Sequence, residues 1–451
     1  MPRRPRVLLL THRVPFPPDR GDRIRAFHLL RNLAKHADVT VACPVREPLS
    51  DAQRRAFQKL AKGVILEIDT PAARLRRLAA ARLRGDALTP ANFYLPKLAQ
   101  RLVDVHTADP FDAVVAFCTG MHGYVQRLRD LPLPPPRCIL DMVDLDSAKW
   151  ADLAQPKPPA TDAPPTPASP RQRSMLRAPL AAARRIAYRY EAAHLSKLER
   201  DIARAYQTIS FVNPAEADAY RRAAIPDVPR YRIGRSFAEV IASTNGVDLK
   251  HYTPSPRSLK SKTVLFTGVL DYAPNVDGLA WFVEHCLPQL RADVPDTTLR
   301  IVGKNPGAAV RRLAAQPGVE LVGPVPDTRP HLHDAAIVIA PLHVAPGVQN
   351  KVLEAMAAGR PVVATPQAAS GIDATPGTHL LTAAHPTRFA LLCAFLLTQP
   401  RHANQIATLA RRRVEQRHRW SAALAPLVDR IVTPARPSAR DAPTPPLRLA
   451  A

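Results

Sequence analysis

Apolar runs alternate with amphipathic segments along most of this chain. Val7–Leu10 is an uninterrupted apolar run, which predicts a buried strand over Arg6–Leu10. In the segment Asp22–His36 that follows, apolar residues recur every three or four positions, as they do on one face of a helix. Because strands joined by helices pair in parallel, this alternation predicts consecutive parallel βα units.

The same alternation extends through the first half of the chain. Further strands are predicted at Val39–Ala42, Val64–Ile68, Ala113–Phe117, Cys138–Asp141 and Thr208–Val212. Further helices are predicted at Asp51–Leu60, Ala72–Arg84, Phe93–Thr107, Gly120–Leu131, Ala178–Tyr206 and Pro214–Ala223. The segment 155–171 is crowded with proline, alanine and threonine, so it is predicted to be a loop or a disordered insertion.

A turn sequence at Thr244–Asp248 (TNGVD) marks the point where the alternation restarts. Strands are predicted at Val264–Thr267, Thr298–Val302, Val319–Val322, Ile337–Ala340 and Val362–Ala364. Helices are predicted at Val276–Leu290, Ala308–Ala315, Pro330–Ala335, Val348–Ala358, Thr387–Gln399 and His402–Ile431. The chain after these helices is rich in proline and is predicted to be disordered.

Two successive doubly wound units without hairpin signals predict an α/β protein in which two Rossmann-like domains face one cleft. The predicted divisions are an N-terminal domain over 1–243, a linker over 244–262, a C-terminal domain over 263–405, a helix over 406–432 and a tail over 433–451. A chain of 451 residues is long enough for each domain to have its own core.

Composition and charge narrow the class of protein. Apolar residues make up 46% of the chain, as in globular proteins, and no apolar stretch reaches the roughly 20 residues of a spanning helix. The N-terminal apolar run is too short for a secretory signal, which favours the cytoplasm. The five cysteines are scattered and predict neither disulfides nor a zinc site. The net charge of +25 favours polyanionic partners: nucleic acid, anionic lipid or phosphorylated small molecules.

The segment around Gly347–Val363 (GVQNKVLEAMAAGRPVV) combines features of an anion site. In an open parallel sheet, ligands bind at the carboxyl ends of strands, which places Pro341–Gln349 at the cleft. A helix that starts near Val348 presents first-turn N–H groups to a diphosphate. Lys351 adds a cation where the helix dipole disfavours one, and Glu354 is placed to bridge two ribose hydroxyls. A solvated Glu354, or one paired with Lys351, is the structural alternative.

This segment resembles the donor-binding signature of glycosyltransferase family 4, whose two-domain fold is called GT-B. More narrowly, the chain is similar to the exosortase-associated (PEP-CTERM system) sugar transferases of bacterial exopolysaccharide clusters. The matching stretches are Pro15–Leu30, Asp141–Trp150, Phe266–Phe282, Leu299–Pro306, Val322–Leu332 and the Gly347–Val363 segment.

The resemblance implies that Lys351 and Glu354 act at the nucleotide of a donor sugar nucleotide, and that Gly347, Val348, Gln349 and Asn350 line its diphosphate and sugar. Glu354 corresponds to the second glutamate of the E-x7-E motif, whereas the first glutamate is replaced by Pro346. The remaining implied donor-site residues are Gly21, Arg13, Gly268, Asn275, Gly303, Asn305 and Asp327. For Gly303 and Asp327 an ordinary strand-to-helix turn and a helix cap are the alternatives.

Three residues of the N-terminal half are candidates near the acceptor. His122 follows a predicted strand, and the resemblance implies that it contacts the donor sugar or helps the acceptor lose its proton. Asp144 and Asp146 end another strand and are placed either to orient acceptor hydroxyls or to cap the following helix. The resemblance also implies that 402–431 returns to the N-terminal domain and acts with the linker near Asn245 as a hinge.

These observations predict a glycosyltransferase that moves a sugar from a nucleoside diphosphate sugar to a saccharide or lipid-linked acceptor. No cofactor and no metal are predicted, because GT-B enzymes generally stabilise the leaving diphosphate with helix dipoles and basic side chains. Retention at the anomeric carbon, and peripheral contact of the basic surface with the inner membrane, complete the prediction. A sugar-nucleotide epimerase and a non-catalytic polyanion-binding protein stay open as alternatives.

Overall fold

The computed structural model describes residues 3–155, 177–225, 237–255, 261–345 and 347–433. Its strands are β1 (Arg6–Thr11), β2 (Asp38–Val45), β3 (Gly63–Ile68), β4 (Ala113–Phe117), β5 (Arg137–Val143), β6 (Thr208–Phe211), β7 (Glu239–Ala242), β8 (Thr263–Thr267), β9 (Thr298–Val302), β10 (Val319–Gly323), β11 (Ile337–Ala340), β12 (Val362–Ala364) and β13 (Leu381–Thr382). The predicted insertion and tail, and Pro346, lie outside the described residues, apart from Gln155 and Thr433.

Helices connect these strands in chain order. They are α1 (Gly21–Leu33), α2 (Asp51–Leu60), α3 (Pro71–Arg84), α4 (Leu88–Phe93), α5 (Pro96–Ala108), α6 (His122–Arg129), α7 (Asp146–Ala154), α8 (Arg177–Ala205), α9 (Pro214–Ala224), α10 (Ala273–His285), α11 (Leu287–Asp293), α12 (Ala308–Leu313), α13 (Arg329–Asp334), α14 (Asn350–Ala357), α15 (Pro366–Ala369), α16 (Pro386–Thr398), α17 (Pro400–Arg417) and α18 (Trp420–Val432).

The strands form two parallel sheets. The first has seven strands in the order β3-β2-β1-β4-β5-β6-β7, and the second has six in the order β10-β9-β8-β11-β12-β13. In the first sheet the order reverses between β1 and β4, and in the second it reverses between β8 and β11. Helices cover both faces of such a sheet, and ligands bind where the strand order reverses. The predicted fold class, two Rossmann-like α/β domains, is confirmed.

Each sheet has its own apolar core. The C-terminal core is one cluster around β8, β9, β11 and β12, in which Leu265, Ile301, Ile339 and Val363 are fully buried. The N-terminal sheet has a separate cluster on each face. One of these clusters is completed by Trp420, Leu424, Leu427, Val428 and Ile431 of α18, so the last helix of the chain belongs to the first domain.

The predicted single helix over 406–432 is wrong in one respect: the structure divides it into two. Helix α17 packs on α14 and α16 of the C-terminal domain, and only α18 packs on α1 and the N-terminal sheet. The division falls at His418 and Arg419, because the His418 carbonyl leaves the helical pattern to accept the Val247 N–H at 2.8 Å. The chain therefore returns to the first domain at residue 418, not at 406.

The two connections between the domains run side by side. Val247 and Arg419 form a parallel bridge, and the His418 ring contacts the Asn245 carbonyl at 3.0 Å. A β-carbon on Gly246 would lie 2.6 Å from the Trp420 backbone, so only glycine allows this approach. The fully buried Arg25 guanidinium binds the Asp141 carboxylate, at 2.8 and 2.9 Å, and the Asn245 amide oxygen at 3.1 Å. These bonds tie the first connection to α1 and β5.

Other differences from the predicted elements have local causes. The predicted helices over Phe93–Thr107 and Val276–Leu290 are each interrupted. New helices begin at Pro96 and near Pro288, because proline suits a first helical turn but not a helix interior. Strands β7 and β13 and helices α4 and α15 were not predicted. They span between two and six residues each, which is too short for periodicity to register.

Candidate functional site

The reversal points of both sheets face each other between the domains. The loops after β1 and β4 come from the N-terminal domain, and the loops after β8 and β11 come from the C-terminal domain. Helix α14 begins at Asn350, two residues later than predicted, and follows the β11 loop. Its first turn therefore points toward the N-terminal domain, where a built β-carbon on Gly21 would lie 3.7 Å from the Asn350 amide nitrogen.

Lys351 lies in the first turn of α14 and is held by the β8 loop. Its ammonium donates to the Asn275 amide oxygen at 2.7 Å and stands 4.2 Å from the centre of the Phe266 ring. A β-carbon on Gly268 would lie 3.1 Å from the same ammonium. The predicted residues Gly268, Asn275 and Lys351 therefore meet at one point, and burial lowers the pKa of Lys351 to about 7.

Glu354 lies one turn beyond Lys351 on the same helix. The Tyr252 hydroxyl donates a hydrogen bond to its carboxylate. Burial raises the pKa of Glu354 to about 7, although Tyr252 and Lys351 both favour the ionised form. A half-buried carboxylate and a half-buried ammonium three residues apart form a polar pair able to take a ribose and a phosphate. Tyr252 belongs to the predicted linker.

Gly347 lies in close contact with the N-terminal domain. Its φ of 68° is left-handed, and a β-carbon there would lie 2.3 Å from an Asp144 carboxylate oxygen. Its N–H donates to the Glu216 carboxylate at 3.0 Å, and the other Glu216 oxygen accepts the Leu145 N–H at 3.1 Å. A single carboxylate thus joins the loop after β11 to the N-terminal domain.

Acidic groups accumulate on the N-terminal side of this junction. Burial and the neighbouring Asp144 together raise the pKa of Glu216 to about 7. Burial also raises the pKa of Asp146 to about 6. Lys149 stands 3.6 Å from the Asp144 carboxylate and partly offsets this charge. The N-cap of α7 is Leu145, which makes no side-chain cap bond. Neither Asp144 nor Asp146 therefore occupies the N-cap position.

The loop after β1 places a histidine and two arginines around one carboxylate. Asp22 accepts from the His12 ring at 3.1 Å and from Arg13, and it pairs with Arg20 at 3.1 Å. Burial works against ionisation of Asp22, but His12 and the arginines lower its pKa well below the usual range. Arg13, which was predicted to contact the diphosphate, is therefore paired with Asp22 in this structure.

The loop after β9 crosses the β8 loop at very close range. A β-carbon on Gly303 would lie 1.7 Å from the Gly268 carbonyl oxygen, so glycine is required for packing alone. Asn305 is exposed, has a φ of 59° and donates to Asp271 at 3.0 Å. The neighbouring Lys304 donates to Asp19 of the N-terminal domain at 2.8 Å and adds a second contact between the domains.

Asp327 and Arg329 form an exposed pair at the start of α13. The Asp327 carboxylate accepts the Arg329 backbone N–H at 3.0 Å and its guanidinium at 2.8 Å. The hydrogen bond from Arg329 lowers the pKa of Asp327 to about 2. Asp327 precedes the N-cap residue Thr328, so it supports the start of α13, as the helix-cap alternative predicts. It also lies beside the segment that contains Tyr252.

His122 is buried in the structure, and its predicted contact with the donor sugar or the acceptor stays a prediction. His122 is 3% exposed, its Nδ1 contacts the Tyr206 hydroxyl at 3.1 Å, and burial lowers its pKa to about 4. The side chain packs against Tyr206 within the N-terminal domain. The strand before it ends at Phe117, and a short 3-10 turn over Thr119–Met121 separates that strand from α6.

Sequence reasoning missed four residues of this region: His12, Glu216, Asn245 and Tyr252. His12 directly follows β1 and was treated as an ordinary loop residue. Glu216 lies in the first turn of α9, where an acidic residue is expected from the helix dipole alone. Asn245, which donates to Asn350 at 3.1 Å, was predicted only as part of the hinge and not as a contact of α14. No local pattern marks Tyr252, because its role depends on which segment the linker packs against.

The described ranges contain no group of three or more histidine, cysteine or acidic side chains placed to hold a metal ion. All five cysteines are free thiols. No helix within the described ranges is both long enough and apolar enough to cross a bilayer.

Residues 261–399 match the family model described as "Glycosyl transferases group 1". They form a glycosyl transferases group 1 domain. They contain β8 to β13 and the Lys351–Glu354 pair. Among curated proteins, none matches the sequence.

Solved structures with this architecture extend the comparison to both domains. HepE of Anabaena, crystallised with UDP-glucose, has 14% identity and a TM-score of 0.58, with 94% of this chain and 98% of that chain covered. Sucrose-phosphate synthase of Thermosynechococcus elongatus has 16% identity and a TM-score of 0.64, with 94% and 97% covered. A UDP-forming trehalose-phosphate synthase of Burkholderia xenovorans has 13% identity and a TM-score of 0.60, with 96% and 100% covered. The fold of this chain is therefore GT-B.

Proposed function

We propose that this protein is a glycosyltransferase that moves a sugar from a nucleoside diphosphate sugar, most simply a UDP-sugar, to a saccharide or lipid-linked acceptor. The observation that carries the proposal is the Lys351–Glu354 pair at the first turn of α14. The two side chains are half-buried between the domains and are oriented by Asn275 and Tyr252. Supporting it are the group 1 match over this domain and the UDP-glucose in the Anabaena structure.

The chemistry assigned to each residue follows from its charge and place. Lys351 and the N-terminal end of α14 stabilise the negative charge that develops on the leaving diphosphate. Glu354 accepts hydrogen bonds from two ribose hydroxyls, for which it needs both carboxylate oxygens. Gly268 leaves space beside the Lys351 ammonium, where any side chain would crowd it.

The sugar end of the site departs from the E-x7-E pattern, because Pro346 stands where the first glutamate is expected. Two carboxylates, Asp144 and Glu216, reach the Gly347 loop from the other domain. We assign them to the acceptor side of the reaction. This agrees with the predicted role of Asp144 and Asp146, and adds Glu216.

The finer parts of the proposal rest on sequence resemblance. They are membership of family 4, similarity to the exosortase-associated transferases, a role in exopolysaccharide biosynthesis, retention at the anomeric carbon and activity without a metal ion. The proposed compartment is the cytoplasm, and no cofactor other than the sugar nucleotide substrate is proposed.

Incubation of the full chain with a panel of nucleotide sugars tests the proposal. Release of nucleoside diphosphate that requires a glycan acceptor, and persists with chelator, is the expected result. Appearance of a new nucleotide sugar without an acceptor would instead identify an epimerase. The absence of any nucleotide binding would leave only a polyanion-binding role.

Replacement of Glu354 by alanine tests the site directly. We expect nucleotide affinity to fall about tenfold to a hundredfold, since two hydrogen bonds to a charged group are lost. Calorimetric titration with UDP measures this. Glu284→Ala, which removes an exposed carboxylate from α10 of the same domain, is the matched control and should bind UDP like the parent. Equal affinity of Glu354→Ala and the parent would refute the assignment.

A further inference from the structure

Helix α3 presents an apolar stripe to solvent. Leu83 is 88% exposed and Leu75 is 69% exposed, which makes them the two most exposed large apolar side chains of the described residues. Ala72 and Ala79 are exposed too. The four positions follow the spacing of three and four residues that places side chains on one helix face. The stripe therefore runs the length of α3 on its solvent-exposed side.

The stripe is flanked by positive charge. Helix α3 contains five arginines and no acidic residue, and Arg76 and Arg82 lie beside the stripe and are exposed. Arg77 points inward to Asp69, at 2.9 Å, so it is not part of this surface. A single exposed acidic residue, Asp86, follows the helix and pairs with Arg84.

Helix α8 extends the same surface. The Arg82 guanidinium stacks on the Tyr190 ring at 4.5 Å, and the Tyr190 hydroxyl donates to the Asp86 carbonyl at 3.1 Å. One turn before Tyr190, Ile186 is 68% exposed. The only acidic residue between 182 and 198 is Glu191, which is buried and accepts the Leu88 and Thr89 N–H groups.

We propose that the exposed stripe of α3, with Ile186 of α8, is a docking surface for an anionic lipid bilayer. An apolar stripe bordered by arginines is the pattern of a helix that lies in the plane of a bilayer interface. The leucines enter the boundary between headgroups and acyl chains, and the arginine stems extend alongside while their guanidinium groups stay at the lipid phosphates. The net charge of +25 adds a long-range attraction to the same partner.

The apolar part of the surface favours lipid over nucleic acid. Phosphate-backbone binding needs only the arginines, and leucines that point outward would contribute nothing to it. A second copy of this chain is disfavoured because the same arginines would face each other across a symmetric contact. The surface belongs to the N-terminal domain and does not include the Lys351–Glu354 pair. The test of this proposal is therefore independent of the test of the donor site.

Vesicle binding by the full chain tests the proposal. We expect sedimentation with mixed phosphatidylglycerol–phosphatidylcholine vesicles, weaker binding to pure phosphatidylcholine vesicles, and partial loss at high salt. The double variant Leu75→Ser, Leu83→Ser should bind the mixed vesicles about tenfold more weakly, because it removes the apolar insertion and leaves every charge in place. Both side chains are exposed, so the fold and UDP binding should be unchanged.

The matched control removes two exposed apolar side chains elsewhere. Leu391 is 45% exposed and Phe395 is 39% exposed on α16 of the C-terminal domain, and Leu391→Ser, Phe395→Ser should bind vesicles like the parent. The proposal is overturned if the parent does not bind anionic vesicles, or if both double variants lose binding equally. Self-association that only the α3 variant abolishes, or binding to RNA that persists in it, without vesicle binding, would assign the surface to those partners instead.

Discussion

At the residue scale, Lys351 and Glu354 each change the protonation of the other. Burial drives both toward their neutral forms, and the pKa of each comes to about 7. In the proposed site, Glu354 binds the ribose as the carboxylate, which is lost as the pH falls through 7. Lys351 is proposed to bind the diphosphate as the ammonium, which is lost as the pH rises through 7. Nucleotide affinity should therefore be greatest near neutral pH.

Titration of UDP affinity against pH checks this expectation. On each side of the maximum we expect the dissociation constant to rise by up to about tenfold per pH unit, since binding is linked to one proton on each side. Glu354→Gln should abolish the acidic limb apart from the protonation of UDP itself, and Lys351→Met should abolish the alkaline limb. If both variants show the same pH dependence of UDP affinity as the parent, groups other than Lys351 and Glu354 control that dependence.

At the element scale, the two connections between the domains depend on a contact that has no room for a side chain. Gly246 lies against the Trp420 backbone, and the adjacent Val247 bonds to the His418 carbonyl. Since the contact joins backbone to backbone, a neighbouring side chain cannot relieve a clash there by adopting another rotamer. The contact fixes where the first connection passes the second.

Gly246→Ala should therefore destabilise the protein. We expect a loss of about 1–3 kcal/mol in the free energy of unfolding, the usual range for an overpacked interior, measured by urea denaturation. Gly307→Ala is the control, because its β-carbon would meet nothing within 4 Å and its φ of −75° suits alanine. Similar stability for both variants would contradict the assigned contact.

How much the sequence predicts also depends on the element. Buried strands such as β4 and β9 and long helices such as α1 were predicted because their apolar periodicity is local. Gly268, Asn275 and Lys351 were each predicted from strand ends and resemblance, but their meeting at one point was not. Pairings between distant segments were not predictable, and Tyr252 with Glu354 is the example, because nothing in either segment specifies the other. The burial of His122 was not predictable for the same reason, as its packing partner Tyr206 lies 84 residues away.

At the scale of the whole molecule, the two domains meet through few polar contacts around the proposed site. The Glu216 carboxylate joins Gly347 to Leu145, and Lys304 joins Asp19. Rotation about the paired connections would separate these partners without disturbing either core. The described conformation holds these pairs together, and the Glu216 carboxylate in it is half-buried.

Glu216→Ala should favour a more open molecule. We expect a larger radius of gyration in small-angle X-ray scattering and a several-fold lower turnover, with UDP affinity unchanged, because Lys351 and Glu354 remain in place. Lys304→Ala offers a comparison at an exposed contact, for which a smaller effect is expected. Tighter UDP binding by Glu216→Ala would contradict this role and show that the carboxylate competes with the nucleotide for the Gly347 N–H.

The position of α18 has a consequence for biosynthesis. The apolar face of the N-terminal sheet that α18 covers is translated long before Trp420, Leu424 and Ile431, which complete that core. While the ribosome makes the C-terminal domain, this face lacks its partner helix. Its apolar side chains are then exposed to solvent, and chaperones bind such surfaces. The second domain has its whole core within one continuous stretch of chain, so we expect it to become protease-resistant on the ribosome before the first domain does.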